Sequence, residues 1–331
     1  ALRFGVLNEF VDELYGYYMA HSEDGIHWKI SPYAAISIVD NPDISDAHTL
    51  MYDSLKKRYI CFTKKHKLCP DGIGDQGYMK RVRGISFSDD FVHFTKPQTM
   101  LLPDDRDDPD VNLYKVEGFV YEGQYLGLLS VYHSGLEGPK ARTVDFQLIS
   151  SRDGETWWRA GDRNTILPLG KESEWDCGQV RLTGSEVFLG PDGLLWAYYV
   201  GVSKHHIPIQ LGYFPDDVQF RAVGLAKLRR DGFVSVDAGE EEGTLLTKRL
   251  RYKGSKLHVN ADIGKDGYIL AEVWKTRQEA PHPTEPSLRT KLDGVLRGFT
   301  RDLCAPISCD QLNAVIRWTD DPDLMPYGEK D

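Results

Sequence analysis

The 331-residue chain has almost no helical periodicity: apolar residues do not recur at three- and four-residue spacing over successive turns. That excludes a helical bundle or a doubly wound α/β fold. Long apolar runs are missing too. The longest, such as Leu194–Val202, are far too short to cross a bilayer, so no membrane partner is expected. Residues 1–20 carry no basic stretch followed by an apolar core, so no signal peptide is visible. The chain opens on Ala1 rather than Met, so one can already have been removed. Positive charge is scarce. Forty Lys and Arg against 50 Asp and Glu give a net charge of −10, which leaves no phosphate-neutralising excess and argues against a nucleic-acid partner. The basic run Lys248-Arg249-Leu250-Arg251 is offset by Glu240-Glu241-Glu242 and reads as solvated surface. Cysteine is sparse as well: five residues, without framework spacing, exclude a disulfide scaffold. Neither Cys-x-x-Cys nor His-Glu-x-x-His occurs, which argues against structural zinc. Reduced thiols favour a cytoplasmic location, with secretion after signal removal as the alternative. Cys61, inside a strand pattern, reads as a small core residue.

What the chain does contain is short β-branched and aromatic runs separated by Gly, Pro, Asp and Asn clusters, the pattern of an all-β protein. One motif recurs at a strand–turn–strand junction. It reads Ser22-Glu23-Asp24-Gly25-Ile26-His27-Trp28, then Ser88-Asp89-Asp90-Phe91-Val92-His93-Phe94, then Ser151-Arg152-Asp153-Gly154-Glu155-Thr156-Trp157. The copies are 66 and 63 residues apart, and Arg230-Asp231-Gly232-Phe233 is a weaker fourth. Asp-Gly supplies a tight turn with positive φ, and the aromatic that follows caps the edge between neighbouring sheets. A fixed period with several strands per repeat means stacking, because one repeat alone cannot bury both its faces. Four-stranded propeller blades fit a period of this length.

Each repeat opens on an inner hairpin: His48–Tyr52 with Arg58–Thr63, Tyr114–Tyr121 with Gln124–Tyr132, and Val180–Leu189 with Leu194–Val202. Outer strands such as Arg83–Ser88 and Val144–Ser151 follow. Three units are complete, while residues 1–30 supply only the last part of another. Either unrecognised strands complete that part, or the chain begins partway through its natural fold. After Val236 come Gly243–Arg251, Lys256–Asp262, Tyr268–Trp274, Leu296–Phe299 and Ala314–Trp318, short alternating strands that suggest a β-sandwich. The expected domains are therefore a propeller over 1–237 and a sandwich over 238–331.

In an antiparallel hairpin the start of the first strand and the end of the second lie at the same end. Asp46, Asp110 and Asp176 hold the first position; His66, His133 and His205, with His206 beside it, hold the second. All point toward one mouth. The catalytic candidates are Asp46, Asp110 and Asp176. The substrate-binding candidates are His48, Tyr114, His133, Asp145, Trp175, His205 and His206. Each has a structural alternative: Asp46 as a turn cap, Asp110 as a solvated member of its acidic loop, a strand-end His as a satisfied core or surface group. Asp46 and His48, two residues apart, make either a catalytic dyad or a capped turn. Trp175, Trp196, Tyr114 and Tyr132 offer flat faces for a sugar ring, or are core. Several carboxylates in a funnel suit glycosidic bond cleavage, where one acid protonates the leaving oxygen and another attacks or activates water. No cofactor is expected; a Ca²⁺ held through carboxylates and water is the alternative. Oligomeric state is not legible.

The Ser-x-Asp-Gly-x-x-Trp repeats, the inner-strand acids and the trailing sandwich resemble the five-bladed β-propeller glycoside hydrolases of families 32 and 43. That resemblance implies a carbohydrate substrate and an acid from each of three successive blades. By position Asp46 takes the nucleophile or base role. Asp110 takes the stabiliser role, within Asp107-Asp108-Pro109-Asp110. The general acid falls near Asp176, or on Glu174 or Glu186. The chain lacks the family's Trp-x-Asn-Asp-Pro at the first acid and its Glu-Cys at the third. The leading expectation is an exo-acting glycoside hydrolase on a furanosidic or related oligosaccharide. The alternatives are a non-catalytic carbohydrate-binding propeller and a phosphorolytic relative, which needs basic groups such as Lys204 and Arg181 beside the acids.

Overall fold

The computed structural model describes residues 3–5, 16–69, 79–135, 141–184, 187–203, 221–278, 290–320 and 322–324. Among them the protein is all-β, with one three-residue 3₁₀ turn at Arg301–Leu303 and no helix long and apolar enough to cross a membrane. The chain divides into two compact units, Ala1–Phe233 and Val234–Asp331.

In the first unit, β1 (Arg3–Gly5), β2 (Gly16–His21) and β3 (Lys29–Ser37) form an antiparallel sheet. Next come β4 (Thr49–Asp53), β5 (Arg58–Leu68), β6 (Met79–Ser88) and β7 (Gln98–Leu101), paired in chain order. A third group contains β8 (Val111–Tyr121), β9 (Gln124–His133) and β10 (Val144–Ser151), with β11 (Trp157–Arg159) and β12 (Thr165–Leu167) both on β10. A fourth contains β13 (Gln179–Leu182), β14 (Phe188–Leu189), β15 (Leu195–Val202) and β16 (Arg221–Leu228), where β13, β14 and β16 all pair with β15. A single parallel bridge, Val144 to Gln179, joins the last two groups.

Period-2 alternation explains how these groups stack. On β5, Cys61 turns into a cluster with Tyr17, Ile36 and Ile44, while Ile60 and Phe62 turn the other way, toward Leu113, Val116, Leu129 and Val131. On β9 and β10 the odd positions Leu129, Val131 and Ile149 share that second core. The even positions Leu128, Phe146 and Leu148 join Val180, Leu182 and Tyr199 in a third. Each middle group is therefore apolar on both faces. Cys61 is a core residue as expected, and burial pushes its thiol up to about 12.

The recurring motif closes the same way three times. Asp24 Oδ1 accepts from the amides of Ile26 and His27, Asp90 Oδ1 from Val92 and His93, and Asp153 Oδ1 from Glu155 and Thr156, all at 2.7–2.9 Å. The leading serine hydroxyl accepts from Gly25, Phe91 and Gly154, which all have positive φ. Phe91 is the costly copy, because a side chain disfavours that region. The fourth copy differs: positive φ falls on Asp231 instead of Gly232, and Asp231 accepts from Tyr121. Trp157 shows what the closing aromatic does. Its ring lies edge-on to Phe62 of β5 at 5.4 Å and beside Tyr125 of β9 at 6.3 Å, between two strand groups.

The second unit holds β17 (Leu257–Ala261) paired with β20 (Gln311–Ile316), and β18 (Trp274–Gln278) paired with β19 (Thr290–Val295). Its core gathers Leu296, Phe299, Ile307, Ala314, Ile316 and Trp318. The strand expected at Gly243–Arg251 is irregular chain. Leu245, Leu246 and Leu250 are all more than 60% exposed, so the alternation there has nothing to pack against. The segment expected at Leu296–Phe299 is a turn in the core, immediately after β19.

Trp157→Ala is expected to cost about 3–5 kcal/mol in chemical denaturation, since it empties a site only 3% exposed. Trp158→Ala, at 55% exposed, should change stability by about 0.5 kcal/mol or less. Equal costs for the two would contradict this packing.

Candidate functional site

Cross-strand partners share a face, and the β5–β6 register pairs Lys64 with Arg83 and His66 with Arg81. The face that carries Ile60, Phe62 and Ile85 into the core therefore turns cationic toward the strand ends. Arg83 is fully buried. Its guanidinium donates to the carbonyls of Tyr114 (2.6 Å), Ala47 (3.1 Å) and Phe62 (3.3 Å). Burial draws it down to about 10, against opposing pulls from Tyr17 and Glu117, so it stays charged at neutral pH. Tyr114 is available as an acceptor because β8 bulges there, the register slipping between Leu113 and Lys115.

That bulge presents the Tyr114 ring to three cations. The guanidinium carbons of Arg81 and Arg181 lie 5.0 and 5.1 Å from its centroid, and Lys64 Nζ lies 5.9 Å away. Arg81 also stands 5.1 Å from the ring of Tyr132, which meets Tyr114 edge-on at 6.4 Å. Lys64 forms an ion pair with Asp46, and the exposures are unequal: 7% for the lysine side chain, 70% for the aspartate. Partial burial raises the Asp46 carboxyl, but the Lys64 hydrogen bond and charge outweigh it and hold the group at about 2. Burial, with Arg81 and Arg83 nearby, lowers Lys64.

His48 does not pair with that carboxylate. Its Nδ1 meets the main-chain carbonyl of Asp46 at 3.1 Å, and its ring stacks on Tyr17 at 4.1 Å. Burial first, then the charges of Arg83 and Lys115, lowers it to about 4 and keeps it neutral. The dyad expectation is thus replaced by a positioned ring, because Lys64 takes the carboxylate.

Asp110 accepts from the Gly135 amide through Oδ2 at 2.9 Å, and its carbonyl accepts from Asn112 and Ser134. Asn112 in turn accepts from the Arg81 amide at 2.9 Å, which ties this loop to the cationic face. Asp176 is 8% exposed and accepts from the Tyr199 hydroxyl at 2.7 Å, under a Trp175 ring stacked on Tyr199 at 5.4 Å. Burial and that bond push Tyr199 up to about 12. His133 and Asp145 are buried against each other, 3.3 Å apart. Trp196 bonds Asp192 and underlies Lys227 at the turn end of β15. Six residues separate it from Val202, about 20 Å along the strand. It therefore offers no surface at the mouth. His205, His206, Lys204 and Glu186 lie outside the described residues. Among the described residues, no group of three or more His, Cys, Asp and Glu is arranged to hold a metal.

No protein-family model matches the chain, and no curated protein matches it. Solved glycoside hydrolases are among its structural neighbours. It is similar to an N-acetylgalactosamine deacetylase from F. plautii in complex with blood group B trisaccharide, at 16% identity and TM-score 0.45, over 64% of each chain. It is similar to sucrose-6-phosphate hydrolase from Lactobacillus gasseri at 13% identity and TM-score 0.39, over 88% of this chain and 69% of that one. A Bombyx mori GH32 beta-fructofuranosidase in complex with sucrose is 12% identical, with TM-score 0.42, over 80% of this chain and 50% of that one. The chain spans 61–64% of the length of several such structures.

Sequence reasoning missed Lys64, Arg81, Arg83 and Glu117. The signal was present for Glu117, a lone acid in Val116-Glu117-Gly118-Phe119. It is 1% exposed, with Lys115 Nζ 2.5 Å from Oε1 as a charge contact and neither oxygen in an aligned hydrogen bond. Burial raises its carboxyl, against the pull of Lys115 and Arg83. A carboxyl raised in the folded state contributes stability that is full below its unfolded value, near 4.5, and fades as pH rises through the folded value. Glu117→Gln should therefore gain on the wild type as pH rises, read as the difference in melting temperature between pH 4 and 8. A difference that stays flat with pH would contradict this.

Proposed function

We propose that the chain is a glycosidase acting on a carbohydrate at the mouth formed by Asp46 and Tyr114, exo-acting on a furanosidic or related oligosaccharide. The observation that carries the reading is Asp46: an open carboxylate held ionised by a buried ammonium, beside a presented aromatic face. A carboxyl held at about 2 by Lys64 is ionised at neutral pH, which favours a nucleophile or base over the general acid. The aromatic face of Tyr114 suits the C–H side of a sugar ring. Asp176, shielded by Trp175, is the candidate partner acid, and Asp110 the stabiliser. In this reading the strand groups of the first unit are propeller blades over 1–237, and residues 238–331 build a sandwich-type domain.

Asp46→Asn and Asp176→Asn should each lower kcat/KM on a panel of aryl glycosides by about 10²–10⁴-fold. Full activity in both would leave a binding protein instead of a hydrolase. Lys64→Met removes what holds Asp46 down, so the acidic limb of the kcat/KM profile should move to higher pH by a unit or more. An unmoved limb would take the base role away from Asp46.

A further inference from the structure

The acidic loop between β7 and β8 is not solvated throughout. The Asp107 side chain is only 5% exposed, and its carboxylate lies between two guanidiniums. Arg159 Nη1 donates to Oδ2 at 2.5 Å, and Arg163 Nη1 stands 3.3 Å from Oδ1. The Asp104 amide donates to Oδ2 as well, at 2.9 Å. Arg159 turns its other two nitrogens onto Gln147 Oε1 of β10, Nε at 2.9 Å and Nη2 at 2.5 Å. Arg163 grips the Asp104 carboxylate with Nη1 and Nη2, while its Nε is buried without a hydrogen bond. It does so at a φ of +62°, in the left-handed region that disfavours a side chain.

From this staple two turns lead to Asp110. The Asp107 amide donates to the Asp104 carbonyl and the Val111 amide to the Asp108 carbonyl, both at 3.0 Å. Toward β6 the loop is tied down by Lys80 Nζ, which donates to the Pro109 carbonyl at 2.7 Å. The loop thus bridges the second and third strand groups, and Asp110 stands at its end with Oδ2 on the Gly135 amide. Stability alone is a poor reason for the staple. A buried ion pair gains little over apolar side chains of the same volume, because desolvation offsets the attraction. What it supplies is a fixed geometry, since a planar fork fits one arrangement of oxygens. The left-handed Arg163 points the same way, because strain of that kind clusters at functional sites.

We propose that Asp107, Arg159 and Arg163 are positioning residues that hold the Asp110 carboxylate where a sugar ring can meet it. The inference rests on the glycosidase reading, in which Asp110 is the stabiliser, and adds the groups that act through it.

A double-mutant cycle on the full chain tests it. Arg159→Met should lower kcat on the aryl glycosides about 10- to 100-fold with KM within about twofold, as for a transition-state group displaced by about 1 Å. Arg159→Lys should recover part of the loss, because the charge beside Asp107 survives and the fork to Gln147 does not. In an Asp110→Asn background the same Arg159→Met change should cost less than about twofold, since the group it positions is gone. The full loss in that background, or an unchanged kcat in a folded Arg159→Met, overturns the proposal. If Arg159→Met does not fold, Asp107→Asn runs the same cycle. A wild type that hydrolyses nothing in the panel removes the glycosidase reading, and the crystal structure of the variant then decides the staple. Asp110 Oδ2 moved about 1 Å or more off the Gly135 amide upholds it, and the 2.9 Å contact retained overturns it.

Discussion

The constraint on which the rest of the first unit depends is the buried guanidinium of Arg83. A fully buried cation is costly unless its donors are satisfied, and here carbonyls of three separate segments take both terminal nitrogens, while Nε is buried without a hydrogen bond. One belongs to Ala47, next to Asp46. One belongs to Phe62, inside the second core. One belongs to Tyr114, at the bulge of β8. The same side chain thus fixes the approach to the lead aspartate, the strand that carries Lys64 and the ring on which the other cations gather. Replace that side chain and all three carbonyls lose a donor together.

From that anchor the surroundings follow by alternation. Strands β5, β9 and β10 are apolar on both faces because each lies between two neighbours, and the closing Trp157 fills the seam. Where β5 and β6 run out toward their ends the same face becomes polar, with Lys64, Arg83 and Arg81 following Ile60, Phe62 and Ile85. The cationic cluster around Tyr114 is therefore the outer end of a core whose inner end is hydrocarbon. That position explains the perturbed groups: Lys64 is buried and His48 half-buried, whereas the Asp46 side chain is mostly exposed.

Much of this was legible in the chain. The Asp-turn motif announced itself because its bonds are local, from an Asp carboxylate to amides two and three residues on, so sequence spacing is the geometry. The inner hairpins were legible for the same reason, and the sequence put Asp46, Tyr114 and Arg181 forward as candidates. The cationic face was not, because lysine and arginine near strand ends read as solvated and only the β5–β6 register shows that Lys64 and Arg83 share a side. Between a dyad and a capped turn at Asp46 and His48 the sequence did not decide, because Lys64, 18 residues from Asp46, takes the carboxylate across a strand. In the second unit alternation alone overpredicted a strand at Gly243–Arg251, where exposed leucines mimic a buried face.

The most direct test of the account is a crystal structure of the Asp46→Asn protein soaked with an aryl glycoside from the panel. A sugar ring lying over Tyr114, with its anomeric carbon within about 3.5 Å of the residue 46 side chain, is the result the account predicts. A saccharide bound away from Tyr114, with residue 46 in contact with protein alone, would contradict it.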